Sequence, residues 1–356
     1  MRHPAPGNYR PAVDRWGRFE DLVGPLKSQL IAVVDQSVLA LHPKLAASLR
    51  AAKPCALVAL PAGERSKTFR TVERIVSSAA PFPRGTPLVA IGGGTVGDVA
   101  TVAAHLCKRG APLIHVPTTL LAAVDSSAGG KGAVHVPSGG HWLKNAGGAF
   151  HYPVETWLCP DLFSTLRPGQ LREGSVEAWK MIACLDAATW RRYRIKRPTL
   201  VELVRRARAL KGRVCRLDPY DQEGRREVLN FGHTFGHALE SLSRFRISHG
   251  DAVSLGILCA LDVGRALGVT PFRVADEVEA GFSGGLGVPG RAALAGALRL
   301  ASPPRVEALL AADKKRSRKG ALRMVLLRRV GAAQVRAVPP EAWRALFPAW
   351  RRGVRP

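Results

Sequence analysis

The feature that most constrains the fold is an alternation of short apolar runs with helical stretches in the first half of the chain. The apolar runs, each of strand length, are residues 29–34, 56–60, 87–91 and 112–116. The helical stretches between them are residues 38–51, 67–79 and 98–107. Ser66 is the predicted N-cap of the second helix, and a Gly93-Gly94 turn opens the third. This alternation is typical of an α/β domain with a mostly parallel sheet.

The pattern changes after about residue 160, where helical periodicity dominates. The helical segments are residues 171–186, 200–215, 225–243, 252–267 and 292–312, and residues 322–338 are predicted to form a β-hairpin. A chain of 356 residues is also long for one hydrophobic core. The sequence therefore predicts an α/β domain over residues 1–165 and a mainly α-helical domain over residues 166–356.

The net charge is strongly positive, at +26. Such a charge favours anionic partners, which are either small phosphorylated substrates or nucleic acid. The basic residues are spread along the chain with few aromatic residues between them, which disfavours base stacking. Nucleic-acid binding therefore remains the alternative from another functional class.

Other features of the composition indicate a cytoplasmic protein without disulfides. No apolar run approaches the roughly 18 residues of a membrane span, and the first residues contain no apolar signal-peptide core. The six cysteines are widely scattered and form no Cys-x-x-Cys pair. This spacing disfavours a disulfide framework and a thiolate zinc site.

Histidines His233, His237 and His249 lie close together in the sequence. If residues 230–242 are helical, His233 and His237 lie on one face, one turn apart. Imidazole nitrogen is a ligand for zinc and similar metals, and a carboxylate would complete a site with an open position. From these residues alone, two ordinary helix histidines and an unrelated loop histidine remain an open alternative.

A glycine-rich turn at residues 92–98 follows a predicted strand and precedes a predicted helix. In that context glycines allow backbone amides to approach a pyrophosphate at the helix N-terminus. No acidic residue lies about 20 positions downstream as in the usual dinucleotide fingerprint, but Asp35 ends an earlier strand and could bind a ribose. A tight turn without a ligand is the alternative interpretation.

A second polar segment, residues 117–131, combines hydroxyl side chains, Asp125, a glycine pair and Lys131. Hydroxyls and backbone amides bind oxygen-rich ligands, and a lysine supplies a positive charge for phosphate. The segment therefore predicts a site for a polyol or a phosphate.

Together these segments resemble the 3-dehydroquinate synthase family, which belongs to the sugar-phosphate cyclases. The resemblance runs from about residue 35 to about residue 338 and rests on several motifs in the family's order. The motifs are Gly63-Glu64-Arg65-Ser66-Lys67, residues 92–98, Arg109-Gly110, residues 117–131, Lys144-Asn145, Glu177-Ala178-Trp179-Lys180, Arg226 with Asn230, Gly232-His233, Gly236-His237, His249-Gly250-Asp251, and Asp313-Lys314-Lys315.

The resemblance implies an NAD-binding α/β domain followed by a helical metal- and substrate-binding domain. It implies a divalent metal, zinc or cobalt, on Glu177, His233 and His249, so that His237 is a substrate-site group and not a ligand. The implied NAD-binding residues are Asp35, Glu64, Lys67, Gly93, Gly94, Asp98, Thr118, Thr119 and Thr165. The implied substrate and catalytic residues are Asp125, Lys131, Lys144, Asn145, Lys180, Lys211, Arg226, Asn230, His237 and Arg109. Arg109 would reach the phosphate site of a neighbouring subunit, which implies a homodimer, and Lys314 or Lys315 would add a phosphate contact.

The implied activity is a lyase reaction of the shikimate pathway, which leads to aromatic amino acids. The family converts 3-deoxy-D-arabino-heptulosonate 7-phosphate to 3-dehydroquinate and phosphate, with NAD oxidising the substrate transiently. The alternatives are a related cyclase acting on sedoheptulose 7-phosphate or glucose 6-phosphate, and a metal-dependent polyol dehydrogenase. Arg226 and Asn230 favour the substrate that carries a carboxylate.

The chain departs from the family pattern at a few positions. Residues 138–142 form an apparent insertion, and His135 stands where asparagine or aspartate is common. Ser37 replaces an asparagine near the ribose, and Lys211 is displaced by one residue relative to Arg226.

Overall fold

The computed structural model describes residues 11–139, 141–244, 246–299, 301–312 and 321–356. The predicted phosphate-contact residues Lys314 and Lys315, and Gly140 of the predicted insertion, lie outside the described residues.

The chain divides into two compact units. The first unit contains the described chain up to Leu171 and also Lys211–Tyr220. The second unit contains Arg172–Leu210 and the described chain from Asp221 onward. The sequence pattern gives no sign that a short segment after residue 210 rejoins the first unit.

Six parallel strands form the sheet of the first unit. These strands are β1 (Val13–Trp16), β2 (Ile31–Asp35), β3 (Ala56–Leu60), β4 (Leu88–Gly92), β5 (Leu113–Pro117) and β8 (Glu155–Leu158), with β6 and β7 described below. The predicted α/β fold with a parallel sheet is confirmed, and four of the six strands lie within a residue or two of their predicted bounds. The short strands β1, at one edge of the sheet, and β8, between β1 and β5, were not predicted.

The strand order is β1-β8-β5-β4-β2-β3. From β2 the chain moves to β3 on one side, and then to β4 and β5 on the other. A crevice therefore opens at the carboxyl ends of β2 and β4, which is where open α/β sheets bind ligands.

The helices of the first unit pack against both faces of this sheet, whose strand residues are largely buried. They are α1 (Phe19–Val23), α2 (Gln36–Leu41), α3 (Pro43–Ala52), α4 (Phe69–Ala79), α5 (Gly94–Leu106) and α6 (Leu120–Val124).

Three helix predictions in this unit need correction. Residues 38–51 do not form one helix, because Pro43 starts a new helix after a break at His42. Ser66 is not the N-cap of α4: the Thr68 hydroxyl accepts from the Thr71 amide, while the Ser66 hydroxyl donates to the Pro61 carbonyl. Helix α5 begins at Gly94, one turn before the predicted start.

Residues 131–150, in which no strand was predicted, form an antiparallel ribbon. Its strands are β6 (Lys131–Ser138) and β7 (His141–Phe150). The strand β7 was missed because it has glycines at 147 and 148 and polar residues at 144 and 145, a composition that is unusual for a strand.

The second unit is mainly helical, as predicted. Its helices are α7 (Pro168–Leu185), α8 (Ala187–Ile195), α9 (Leu200–Leu217), α10 (His233–Leu242), α11 (His249–Ala266), α12 (Phe272–Leu286), α13 (Arg291–Leu298), α14 (Pro303–Ala312), α15 (Pro340–Arg344) and α16 (Phe347–Arg352), of which α7 and α9 also contribute residues to the first unit. The predicted hairpin at 322–338 is confirmed as β9 (Leu322–Arg329) and β10 (Ala332–Val338).

Two of the predicted long helices are interrupted. Residues 292–312 contain α13 and α14, and Pro303 begins the second of them. Residues 225–243 contain a 3-10 helix, Arg225–Asn230, and then α10. Gly232 separates these two with φ +81°, and a Cβ atom there would lie 2.6 Å from the Val253 carbonyl oxygen. Only glycine fits this turn. Gly232 therefore fixes the position at which α10 begins, with His233 as its first residue.

Within the described ranges, no helix is long and apolar enough to span a bilayer.

Candidate active site

Three side chains of the second unit converge into a compact cluster. Glu177 lies on α7, while His233 and His249 are the first residues of α10 and α11. One ligand atom from each of the three lies within 4.8 Å of the other two. The structure therefore brings together the three residues predicted as metal ligands, although Glu177 is far from both histidines in sequence.

Both imidazoles direct the Nε2 atom toward Glu177. Each Nε2 lies 3.6 Å from the same carboxylate oxygen, Glu177 Oε1. The Nδ1 atom of His233 lies 3.4 Å from the Phe231 carbonyl, and that of His249 lies 3.3 Å from Glu240 Oε1. Partners of this kind hold a proton on Nδ1, so Nε2 is the nitrogen of each ring that can ligate a cation at the cluster.

The Glu177 carboxylate is almost completely buried, with 1% of its surface exposed. Its Oε2 accepts a hydrogen bond from Lys180 on the same helix, whereas its Oε1 has no hydrogen-bond partner. Burial by itself would raise the pKa of Glu177, but Lys180 and the two imidazoles outweigh burial and hold the pKa well below its usual range. The carboxylate is therefore charged, and one of its oxygens lacks a partner.

The two histidines differ in protonation. Burial, together with the charge of Lys180, lowers the pKa of His233 well below its ordinary value, so this imidazole is neutral. Burial would also lower the pKa of His249, but its contacts with Glu177 and Glu240 raise it to about 10. A cation bound at the cluster would displace this proton, as metal binding to histidine generally does.

This donor set fits a divalent metal. Ligand atoms bound to zinc at about 2.1 Å in tetrahedral geometry lie roughly 3.4 Å apart, and the observed separations from Glu177 Oε1 are 3.6 Å. A metal would also satisfy the one carboxylate oxygen that lacks a partner. Two imidazoles and a carboxylate leave a coordination position for a substrate, and they suit zinc and cobalt alike.

The other predicted substrate residues of this unit lie near the cluster in sequence or in space. The His237 ring lies 5.3 Å from the His233 ring, one helical turn along α10. Lys180 is 2% exposed and Arg226 is 5% exposed, so both cations are buried. Asn230 ends the 3-10 helix that carries Arg226.

In the first unit, a cavity of about 240 Å³ lies at the carboxyl ends of β2 and β4. It is the crevice expected from the strand order. Six of the nine predicted NAD-binding residues line it: Asp35, Gly93, Gly94, Thr118, Thr119 and Thr165.

The walls of this cavity suit a dinucleotide. Asp35 ends β2, and its Oδ1 accepts hydrogen bonds from the amide and the hydroxyl of Ser37. Gly93 precedes α5 without a side-chain cap, so the first amides of a 13-residue helix are available for a phosphate. A Cβ atom on Gly93 would lie 3.2 Å from Thr119 Cγ2, so a larger residue would crowd this wall.

The remaining three predicted cofactor residues do not line the cavity but form a charged network in the same unit. Lys67 Nζ lies 2.5 Å from Asp98 Oδ2, and both side chains are mostly buried. Glu64 Oε1 accepts from the hydroxyl of Thr95, which lines the cavity. Burial raises the pKa of Asp98 above its ordinary value despite the nearby Lys67 charge.

The predicted substrate residues of the first unit fall into separate places. Lys211 Nζ lies 2.7 Å from Asp125 Oδ1 and 2.7 Å from the Asp125 carbonyl oxygen. Lys131, Lys144 and Asn145 lie on the ribbon of β6 and β7. Arg109 is exposed in a short 3-10 turn, with φ +64°, so its predicted role toward a neighbouring subunit stays a prediction.

Sequence reasoning missed Glu240 and Thr95. Glu240 lies on α10, three residues after His237, and it holds the Nδ1 side of His249. Its spacing of seven residues from His233, which is two helical turns, was a readable signal that it shares the histidine face. Thr95 lies inside the glycine turn, where only the glycines and Asp98 were considered.

Family models match most of the chain. The N-terminal domain model of 3-dehydroquinate synthase matches residues 57–173, and the C-terminal domain model matches residues 174–316. The chain belongs to the 3-dehydroquinate synthase family. The predicted resemblance is thereby confirmed, and the two models meet within two residues of the start of the second unit.

Named relatives in this family agree with the models. A 3-dehydroquinate synthase of Methylacidiphilum infernorum is 39% identical over 238 residues, which span 65% of this chain and 65% of that relative. A 3-dehydroquinate synthase of Paracoccus denitrificans is 36% identical over 347 residues, which span 92% of this chain and 90% of that relative.

Among solved structures, the chain is similar to 2-deoxy-scyllo-inosose synthase, a structure complexed with carbaglucose-6-phosphate, NAD+ and Co2+. The two are 25% identical, with a TM-score of 0.78, and the match covers 96% of each chain. The fold of this chain is therefore shared with that 2-deoxy-scyllo-inosose synthase.

Proposed function

We propose that this protein is a 3-dehydroquinate synthase of the shikimate pathway. It converts 3-deoxy-D-arabino-heptulosonate 7-phosphate to 3-dehydroquinate and phosphate. The observation that carries the proposal is the cluster of Glu177, His233 and His249, in a chain matched by both domain models of this family.

The proposed cofactors are NAD and one divalent metal, either zinc or cobalt. The partnerless Oε1 of Glu177 supports the metal, and the glycine-lined cavity at β2 and β4 supports NAD. The similar 2-deoxy-scyllo-inosose synthase, which holds NAD+ and Co2+, supports both. When bound, the metal lowers the pKa of the hydroxyls it ligates, and NAD takes up a hydride and later returns it.

The residues of the chain would bind and orient the substrate. Lys180 neutralises one oxygen of Glu177, which leaves the other oxygen for the metal. His237 lies beside the metal-binding histidines and is suited to move a proton at the substrate phosphate. The buried Arg226 and the neighbouring Asn230 suit the substrate carboxylate, because a guanidinium binds carboxylates with two hydrogen bonds.

Further cations and polar groups suit the sugar and its phosphate. These are Asp125, Lys131, Lys144, Asn145, Lys211 and Arg109. Arg109 would act at the site of a second subunit, so the proposed assembly is a homodimer. The proposed location is the cytoplasm, and the proposed domains are an NAD-binding domain over residues 1–165 and a metal- and substrate-binding domain over residues 166–356.

The test is phosphate release from 3-deoxy-D-arabino-heptulosonate 7-phosphate by the purified protein, with and without NAD and after chelation. We expect release that requires both NAD and metal and leaves no net NADH. Glucose 6-phosphate and sedoheptulose 7-phosphate form the comparison arms. Release from either of these, without release from the heptulosonate, would replace the proposal with a related cyclase.

A pair of histidine variants sharpens this test. His237→Ala is expected to lower phosphate release by about 100-fold or more, since a positioned acid or base contributes about that factor. His105→Ala is the matched control, because His105 is exposed in the first unit and has no proposed role. Equal activity of the two variants would contradict the role of His237.

A further inference from the structure

The ribbon of β6 and β7 contains a large bulge at the place where two proposed substrate residues lie. Val134 pairs with Gly147 and Val136 pairs with Leu143, so the three residues 144–146 of β7 face the single residue His135. Lys144 and Asn145 are therefore displaced from the regular ladder. Bulges often re-aim side chains next to active sites.

The His135 side chain fills the gap that this bulge leaves in the hydrogen-bond ladder. Its ring is buried, and Nδ1 accepts a hydrogen bond of 3.1 Å from the backbone amide of Asn145. Because an accepting Nδ1 carries no proton, the proton of the neutral ring is on Nε2. That nitrogen lies 3.0 Å from Glu64 Oε2 and donates to it.

The backbone of His135 is tied to the same region as Glu64. Its amide donates to the Lys67 carbonyl at 2.8 Å, and His135 bridges Thr68 in parallel register. Phe69, in the next turn, approaches Gly147 so closely that a Cβ atom there would lie 2.7 Å from its ring. Both strands of the ribbon therefore contact the Lys67–Phe69 stretch, β6 through His135 in the bulge and β7 through Gly147 beside it.

From Glu64 the contacts continue to the cofactor cavity. Glu64 Oε1 accepts a 2.9 Å hydrogen bond from the hydroxyl of Thr95, a residue of the cavity wall. At the other end, Asn145 has φ +53°, a left-handed conformation that needs support from its surroundings. One hydrogen-bonded path thus joins the cavity wall to Asn145 through Glu64 and His135.

We propose that His135 is a positioning residue that fixes Lys144 and Asn145 for substrate and, through Glu64, couples the ribbon to the cofactor cavity. The inference rests on the proposed function. His135 does not touch the reacting atoms: it supplies the acceptor that the bulge lacks and the donor that orients Glu64. Its two ring nitrogens therefore have separate effects, one on the substrate and one on the cofactor.

Two conservative variants separate these effects. In His135→Asn, the side-chain oxygen can replace Nδ1 as the acceptor for the Asn145 amide, but the side chain is too short to reach Glu64. In His135→Gln, the amide nitrogen can replace Nε2 as the donor to Glu64, but no acceptor remains at the Nδ1 position. His135→Ala removes both contacts, and His105→Ala is the matched control.

We expect a reciprocal pattern in steady-state kinetics and NAD binding. His135→Gln should raise the KM for substrate about 10-fold and keep the Kd for NAD within about 3-fold of the parent value, which are differences of about 1.4 and 0.7 kcal/mol. His135→Asn should raise the Kd for NAD about 10-fold and keep the KM for substrate within about 3-fold of the parent value. His135→Ala should raise both the KM and the Kd. If the Asn and Gln variants instead lose thermal stability equally, with unchanged KM and Kd, the positioning role is overturned.

A second readout does not depend on activity. The Asn145 amide should exchange with solvent faster in His135→Ala and His135→Gln, but at the parent rate in His135→Asn. If the parent protein releases no phosphate from any sugar phosphate, the proposed function fails, while this exchange pattern still supports the His135 contact. Unchanged Asn145 exchange in His135→Ala would overturn the inference even in an active enzyme.

Discussion

Asp262 and Glu177 are buried carboxylates of the second unit, and they differ in whether each carboxylate oxygen has a hydrogen-bond partner. Asp262 on α11 is 1% exposed, and both of its oxygens are paired: Arg291 donates to each, at 2.8 and 3.1 Å, and the Trp350 indole donates to Oδ2 at 2.9 Å. Glu177 on α7 is equally buried, but its Oε1 faces two imidazole nitrogens and has no hydrogen-bond partner. Burial alone therefore does not distinguish a structural acid from a binding site.

The difference indicates what each cluster does. A buried charge with all its hydrogen bonds made holds helices together, and its loss leaves the partner charge unpaired. A buried charge with an open acceptor costs stability unless something else fills it. The Asp262 cluster, which is Asp262 with Arg291 and Trp350, should therefore determine the stability of the fold. The Glu177 cluster, which is Glu177 with His233 and His249, should determine ion binding.

The largest expected effect comes from Asp262→Asn. The variant leaves Arg291 and Trp350 without their buried carboxylate, so the free energy of unfolding should fall by about 3 to 5 kcal/mol. Urea denaturation of the metal-free protein measures this change. The zinc affinity of the folded fraction should stay at the parent value. A loss of zinc affinity equal to that of a Glu177 variant would show that Asp262 also supports the ion site.

Glu177→Gln is the reciprocal change. It keeps the shape but removes the charged ligand, so zinc affinity should fall by at least about 100-fold, the upper end of the loss seen for groups that only support a ligand. Competition with a chromogenic chelator measures this affinity. Glu202→Gln, an exposed glutamate on α9 that accepts from Thr199, is the control and should bind zinc as the parent protein does.

A smaller effect on the same cluster is expected for Glu240→Gln. Glu240 accepts from Nδ1 of His249 and is not one of the three residues of the cluster, so its loss should lower zinc affinity by about 10-fold. The same chelator competition applies. An effect as large as that of Glu177→Gln would mean that Glu240 is itself a ligand.

The smallest effect concerns acid stability at the Asp262 cluster, where Arg291 also binds Glu279. Burial would raise the pKa of Glu279, but hydrogen bonds from Arg291 and Arg355 outweigh burial and lower it. A lowered folded-state pKa means that the contribution is fully present above the unfolded pKa and is lost as pH falls through the folded pKa.

Glu279→Gln should therefore lower the free energy of unfolding by about 1 kcal/mol at neutral pH, the upper range for a partly exposed ion pair. The difference from the parent protein should shrink below about pH 4, near the ordinary glutamate pKa. Urea titrations at several pH values measure this. A difference that grows on acidification would contradict the assigned sign.

The sequence predicted four strands of the parallel sheet well, because each of the four is a mainly apolar run between turn residues. Strand β3 has the predicted bounds, Ala56–Leu60. The sequence did not predict the interruptions of the long helices or the polar strand β7. The interruption at Gly232 depends on the close approach of Val253, a tertiary contact that local periodicity cannot reveal.

The metal cluster was only partly readable from the sequence. His233 and His249 were visible as a histidine group, but spacing alone paired His233 with His237. Glu177 entered through the family resemblance, because α7 lies far from α10 in sequence and only folding brings them together. His135 was noticed as a departure from the family, but its contact with Asn145 depends on a bulge in a strand that was not predicted.

The most direct test of the metal ligands is the zinc stoichiometry of the purified protein and of two histidine variants, measured by native mass spectrometry. We expect one ion per chain in the parent protein and in His237→Ala, and none in His249→Ala. A His249→Ala protein that keeps its ion, or a His237→Ala protein that loses it, would contradict the assignment of Glu177, His233 and His249 as the ligands.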